Sequence, residues 1–131
     1  MTLYVHRTVA LVAKETTYKT DPGGASAVQM SNLSVKPLAG STVDRKLVRP
    51  FMGASPKISV ASHRTANFEV EAAGSGSPGT EPGFGALLRA CGMTAAVTAT
   101  DVTYTPVSSG FDSAAIHLHH DGQLRTMLGS R

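Results

Sequence analysis

The chain has 131 residues, which is enough for one domain with a modest core and too short for a second one. Its single cysteine, Cys91, excludes an internal disulfide and a zinc-finger spacing, and the abundance of Val, Ala, Thr, Ser and Gly favours short strands joined by small-residue turns. The net charge of +3 is uneven: residues 1–64 hold nine Lys and Arg against three Asp and Glu, and residues 65–131 hold three against six.

The first residues of the chain predict neither a signal peptide nor a membrane span. The apolar run there is only a few residues long and is interrupted by His6 and Arg7, with no small-residue cleavage signal after it. With one cysteine and no such segment, we expect a protein that folds in a reducing compartment and has no membrane partner.

In the first half of the chain, apolar and polar residues alternate with the period of two that is typical of strands. The predicted strands are residues 3–14, 28–38, 42–49 and 57–71. Residues 15–26 form a polar arm around Asp21-Pro22-Gly23-Gly24, and residues 49–57 form a loop in which two prolines and a glycine surround Phe51 and Met52. An apolar pair in so polar a loop is a candidate contact patch.

The last of these strands has one face suited to a core and one suited to solvent. Phe68 and Val70 alternate with Asn67, Glu69 and Glu71. We therefore expect a half-exposed strand with a negatively charged wet face.

A short helix of about ten residues is predicted after residue 80. One apolar stripe, with the spacing i, i+3, i+4, i+7, is formed by Phe84, Leu87, Leu88 and Cys91. Thr80 is the predicted N-cap and Gly92 the predicted C-terminal cap. The stripe predicts a helix packed on a sheet, with Cys91 as a small buried hydrophobe rather than a nucleophile.

The rest of the chain predicts further strands. Residues 93–104 are rich in Thr, Val and Ala, and residues 112–128 contain Asp121-Gly122, a dipeptide that favours a tight hairpin turn. His117 and His119 fall on one strand face, but two imidazoles without a third ligand make a weak metal site. We interpret them as a wet strand face.

Gly74, Gly76 and Gly79 form a literal GxGxxG, which raises the alternative of a nucleotide-binding enzyme. In a dinucleotide fold the third glycine lies within the helix, whereas here the helix begins after the motif and Pro78 removes one amide from the cradle. The preceding strand also has a wet face, unlike a buried parallel strand. We interpret the motif as a corner of the scaffold and predict no catalytic residue, no cofactor and no metal.

A DNA-binding protein is a second alternative, because the first half of the chain is basic. Its Lys and Arg residues are scattered singly among apolar ones with few aromatics between them. A solvated or self-complementary surface is the better interpretation, since contact between copies uses both signs of charge.

Six segments distributed over nearly the whole chain carry a resemblance to a known family. They are KETTY with TDP (14–22), NLSV with PL (32–38), VRP with GASP (48–56), FEVE with AGSG (68–76), LLRACG (87–92) and VTYTPVSS (102–109). In this order they resemble the major tail tube protein of a long-tailed, siphovirus-like bacteriophage or prophage.

The resemblance implies one tail-tube-like domain over residues 1–131, with a β-sandwich or barrel-like fold of two packed antiparallel sheets and one short helix. It implies a structural virion protein that assembles in the bacterial host cytoplasm. Homo-hexameric rings of this protein stack into a tube, and other tail proteins are further partners. Phage DNA passes through the tube without being specifically bound. A tail terminator or secretion-tube component is the alternative within the same class. Relatives usually continue with further strands, so the end at Arg131 suggests either a truncated chain or a shortened member of the family.

The resemblance also implies where copies meet, namely the arm, residues 15–26, and a long loop between two early strands, residues 44–57. The expected contact residues are Tyr18, Asp44, Arg45, Arg49, Phe51 and Met52. Because a conduit should repel DNA, we expect Glu69 and Glu71 to face the lumen.

Overall fold

The computed structural model describes residues 8–131, which are mainly β with one short helix, as predicted. The strands are β1 Thr8–Lys14, β2 Ser26–Val28, β3 Met30–Asp44, β4 Lys57–Val70, β5 Met93–Val97, β6 Val102–Pro106, β7 Ala114–His120 and β8 Gln123–Ser130; the helix α1 spans Gly85–Ala90. No barrel closes among these strands. The part of the first predicted strand before Thr8 lies outside the described residues.

The described residues form two compact units. One is Asn32–Glu69, and the other combines Val70–Arg131 with the described residues up to Ser31. The second unit contains a four-stranded antiparallel sheet in the order β2-β1-β7-β8 and the separate β5–β6 hairpin.

The core lies in the four-stranded sheet, on β1, β7 and β8. Its buried apolar side chains are Ala10, Val12, Ala13, Ala114, Ala115, Ile116, Leu118 and Met127. Five consecutive residues of β7 are buried, because this central strand is covered on both faces. Alanine is frequent here, since small side chains let the covering elements approach closely.

The β7–β8 hairpin reverses at Asp121 and Gly122, with φ of 44° and 85°. Two consecutive positive φ values are those of a two-residue type I′ turn, which matches the right-handed twist of the strands that it joins. The predicted hairpin is confirmed.

The helix is shorter than predicted, and two of its predicted roles are wrong. The residue before its first turn is Phe84, without a side-chain cap, and the Gly85 amide donates to the Pro82 carbonyl at 2.8 Å, so Thr80 does not cap the helix. Cys91 is exposed rather than buried, because the chain leaves helical geometry there. Gly92 has φ of 84°, as expected for a C-terminal cap.

The helix packs on β1 and β7 and also contacts β5, which confirms its position on the sheet. Arg89 holds it in place: the guanidinium donates from Nε to Oε1 of Glu81 at 3.0 Å, and its Nη1 lies 3.6 Å from Oδ2 of Asp112. Lys14 Nζ lies 3.0 Å from the same Asp112 oxygen. The hydrogen bond to Glu81 is the main cause that raises the pKa of Arg89.

The unit Asn32–Glu69 is a ribbon made by β3 and β4. The strands run antiparallel: at one end Lys57 Nζ lies 3.5 Å from Asp44 Oδ1, and at the other Asn32 Nδ2 donates to Glu69 Oε2 at 2.9 Å. The predicted strands 28–38 and 42–49 are wrong as separate elements. Both contribute to β3, which continues through Pro37 because a two-stranded ribbon leaves an outer edge where proline loses no hydrogen bond.

The β-prone run predicted at residues 93–104 forms most of the β5–β6 hairpin. Two hydrogen bonds close its turn. The Thr98 amide donates to the Asp101 carbonyl at 2.9 Å, and the Thr98 hydroxyl donates to the Asp101 carboxylate. A run of β-prone residues indicates strand but does not reveal where the chain reverses.

Candidate functional site

Residues 45–56 join β3 to β4 without regular secondary structure, and we call them the apex segment. Its apolar side chains lie in solvent: Val48 and Met52 are 104% and 103% exposed, and Phe51 is 64% exposed. Pro50 and Pro56 have no amide to donate to the ribbon's ladder, which favours the end of the regular pairing here. Apolar side chains this exposed make the apex segment a candidate contact surface.

Positive charge accompanies these apolar side chains. The guanidinium of Arg49 lies 5.8 Å from the centre of the Phe51 ring, within cation–π range. The ribbon Asn32–Glu69 holds six Lys and Arg against two Asp and Glu, a net +4, whereas the rest of the chain holds six against seven, a net −1. The ribbon and the rest of the chain therefore carry net charges of opposite sign.

Five of the six predicted contact residues thus lie at one end of the ribbon, within or next to the apex segment. They are Asp44, Arg45, Arg49, Phe51 and Met52. The predicted contact set lacks Leu47 and Val48, which are 50% and 104% exposed, although both fall in the predicted long loop 44–57. The signal that would have revealed them is their apolar character next to Pro50, the same feature that singled out Phe51 and Met52.

The polar arm, residues 15–26, is held at its start by a buried carboxylate. Glu15 is only 4% exposed, and its oxygens accept hydrogen bonds from the Ser113 hydroxyl, the Gly129 amide at 2.7 Å and the Lys19 amide at 2.9 Å. Its own amide donates to the Ser113 carbonyl at 2.9 Å. One side chain therefore ties the arm to the segment before β7 and to the end of β8.

These contacts determine the ionisation of Glu15. Burial alone would raise the pKa of this carboxyl group. The three hydrogen bonds oppose that effect, as does the positive charge of Arg131, and the pKa of Glu15 is lowered below its usual value of 4.5. The residue is therefore an anion over most of the pH range.

Tyr18, the sixth predicted contact residue, lies in the arm and belongs to the other unit. Its ring lies across Gly129, where an added Cβ would come within 2.9 Å of it, and the Arg131 guanidinium lies 4.7 Å from the ring centre. The side chain is still 51% exposed. Tyr18 is thus anchored on one face and open to solvent on the other.

Glu69 and Glu71, the residues expected to face a lumen, lie at the end of β4 and just beyond it. Both are exposed, whereas Phe68 and Val70, each of which precedes one of them in the sequence, are half-buried. The predicted alternation is therefore confirmed. That the two carboxylates face a lumen stays a prediction.

A model of the phage tail tube protein family matches residues 6–131. The chain belongs to the phage tail tube protein family. No curated protein and no solved structure gave a significant match to it. The predicted resemblance is confirmed at the level of the family.

In this tail tube protein the GxGxxG motif lies in an irregular bend. Gly76 and Gly79 have φ of 78° and 66°, and a Cβ at Gly79 would lie 2.5 Å from the Thr98 carbonyl oxygen. The helix begins only at Gly85, and the described strand pairings are antiparallel rather than parallel. The glycines therefore let the bend approach the β5–β6 turn, which supports a scaffold corner.

The histidine interpretation needs one correction. His117 is 9% exposed rather than wet, because β7 is the covered central strand, and its Nε2 lies 3.2 Å from Oδ1 of Asp21. His119 is exposed, as expected. Within residues 8–131, no three His, Cys, Asp or Glu side chains are grouped as metal ligands would be.

Among the described residues of this tail tube protein, none forms a helix that could span a membrane. The only helix there, α1, has six residues, far short of the roughly 20 that a span needs.

Proposed function

We propose that this structural protein of the virion tail is a self-assembling tube subunit. Copies close into homo-hexameric rings, and the rings stack into the conduit through which phage DNA is ejected. The observation that carries the proposal is the apex segment, in which Val48 and Met52 are fully exposed at the end of a ribbon with net charge +4. A free protein gains nothing from such a surface, whereas a repeating assembly buries it.

The distribution of charge supports contact between unlike surfaces. A ribbon of net +4 and a remainder of net −1 attract when they come from different copies. Contacts between unlike surfaces are heterologous, and they generate closed rings or open filaments according to the rotation between copies. A stacked tube combines both.

The function of this assembly is mechanical and electrostatic, and no bond is made or broken. Each Lys or Arg that neutralises a phosphate adds affinity for DNA and would slow its passage. In the proposed tube the cations of the ribbon are engaged by neighbouring copies, and Glu69 and Glu71 face the lumen. The subunit assembles in the host cytoplasm and meets itself and other tail proteins.

Electron microscopy of the purified full chain tests the proposal. The expected result is rings of hexameric symmetry that stack into tubes, with a lumen of negative potential. A chain that stays monomeric at all concentrations would contradict self-assembly, and rings with a positively charged lumen would contradict the role of Glu69 and Glu71.

A further inference from the structure

An open groove lies between the glycine-rich bend and the β5–β6 turn, and we call it the bend groove. Its volume is about 350 Å³. Its lining includes the apolar side chains of Ala72, Ala73, Pro78, Phe84 and Val102, and Asp101 is among its polar residues. All of these residues belong to the same compact unit, so the groove is a feature of that unit alone.

The bend groove lies in an acidic part of the chain. Residues 65–124 contain six Asp and Glu but a single basic residue, Arg89. That arginine is engaged by Glu81 and lies close to Asp112. The exposed carboxylate of Asp101 therefore has no basic neighbour within this stretch of sequence.

Backbone geometry keeps the groove in place. Gly79 lies so close to the Thr98 carbonyl that there is no space for a side chain. The glycine-rich bend is therefore in direct backbone contact with the β5–β6 turn. Ser75 stabilises the bend, since its hydroxyl donates to the Ser77 carbonyl at 2.8 Å. Local contacts of the GxGxxG segment thus build the groove, and these contacts form without a bound phosphate.

The apex segment has the complementary chemistry. It presents fully exposed Val48 and Met52 with Phe51, and Arg45, Lys46 and Arg49 lie among them. An apolar groove lined by the exposed carboxylate Asp101 fits an apolar loop with cations in both charge and hydrophobicity.

We propose that the bend groove of one copy receives the apex segment of a second copy. The inference rests on the self-assembly proposed above and names the surface that the apex segment contacts. It also gives the bend a function, as the socket of a contact that repeats from copy to copy. The socket and the apex segment are different surfaces, so each copy offers one of each. The contact is therefore heterologous and can repeat from copy to copy instead of ending at a dimer.

Cross-linking between two single-cysteine variants tests the proposal. In a Cys91→Ser background, Met52→Cys is made in one preparation and Ser77→Cys, on the exposed rim of the bend groove, in another that carries a tag. The two are mixed and oxidised with copper phenanthroline. Because each protein has one thiol, a mixed disulfide forms only between copies.

We expect the mixed dimer to form about tenfold faster than with Ser108→Cys, an exposed control position outside the groove, because docking raises the effective concentration of the two thiols. Adding Arg49→Glu to the Met52→Cys protein should reduce this advantage, as should high salt. Thermal denaturation of each variant checks that all remain folded.

The outcomes separate this inference from the function on which it rests. Rings in the microscope with equal cross-linking at Ser77→Cys and Ser108→Cys overturn the socket and leave self-assembly intact. A folded protein with neither rings nor mixed dimers overturns both.

Discussion

At the scale of single residues, the chain's stability depends most visibly on Glu15. Its sequence context, a polar arm, indicates an exposed carboxylate, yet the structure buries it against three donors from separate segments. A buried carboxylate is stable only when its oxygens are satisfied, so these contacts act together. The arm that carries Tyr18 therefore begins from a fixed point.

Glu15→Gln removes the negative charge and points an NH₂ group at donors. Hydrogen bonds to charged groups contribute about 1.5–3 kcal/mol, and we expect the free energy of unfolding to fall by about that amount. Urea denaturation measures it. The matched control, Glu71→Gln, changes an exposed carboxylate and should alter stability by less than about 0.5 kcal/mol; equal effects would contradict the role of Glu15.

The pH dependence of folding provides an independent test of the same residue. Because the pKa of Glu15 is lowered in the folded protein, the unfolded chain takes up this proton first as pH falls below the usual 4.5. The stability that Glu15 contributes is therefore complete above pH 4.5 and is lost as pH falls through the lower folded value. The difference in unfolding free energy between wild type and Glu15→Gln should shrink in that window; a constant difference would refute the assignment.

At the scale of elements, turns rather than strand propensity decide where the sheets reverse. Asp121-Gly122 was readable from sequence because type I′ turns demand residues that accept positive φ. The β5–β6 turn was not, since Thr98 and Asp101 close it with side-chain hydrogen bonds that any Thr and Asp can make elsewhere.

Gly122→Ala tests how much the β7–β8 turn contributes to stability. Gly122 has φ of 85°, and an L-residue in the left-handed region costs roughly 1–2 kcal/mol, so the variant should lose about that much stability. Gly24→Ala is the control, because Gly24 has ordinary φ and open space around it, and there alanine should be neutral or stabilise by about 0.4–1 kcal/mol. Equal losses in thermal denaturation would show that the turn does not constrain the hairpin.

At the scale of the whole molecule, assembly and folding are expected to depend on different residues. The core lies in β1, β7 and β8, whereas the apex segment contributes side chains that the isolated chain leaves in solvent. Substitutions in the apex segment should thus change association without changing the stability of the monomer.

The double variant Val48→Asp with Met52→Asp tests this separation. Both side chains are fully exposed, so we expect the unfolding free energy to change by less than about 0.5 kcal/mol per site, while ring formation seen in sedimentation velocity is lost. Leu38→Asp, at an exposed position of β3 outside the apex segment, is the control and should still assemble. Unchanged assembly of the double variant would contradict the proposed contact.

The sequence by itself determined the mainly β class, the β7–β8 hairpin, the half-exposed face of β4 and the family, because these follow from local periodicity, turn chemistry and residue order. It also indicated the loop with Phe51 and Met52, since the two prolines there have no amide to donate to a ladder. Only the tertiary structure decided that Glu15 and His117 are buried, that Cys91 is exposed and that the GxGxxG bend forms a groove with the β5–β6 turn. Burial is a property of what packs on a residue from distant segments, and local sequence does not contain that information.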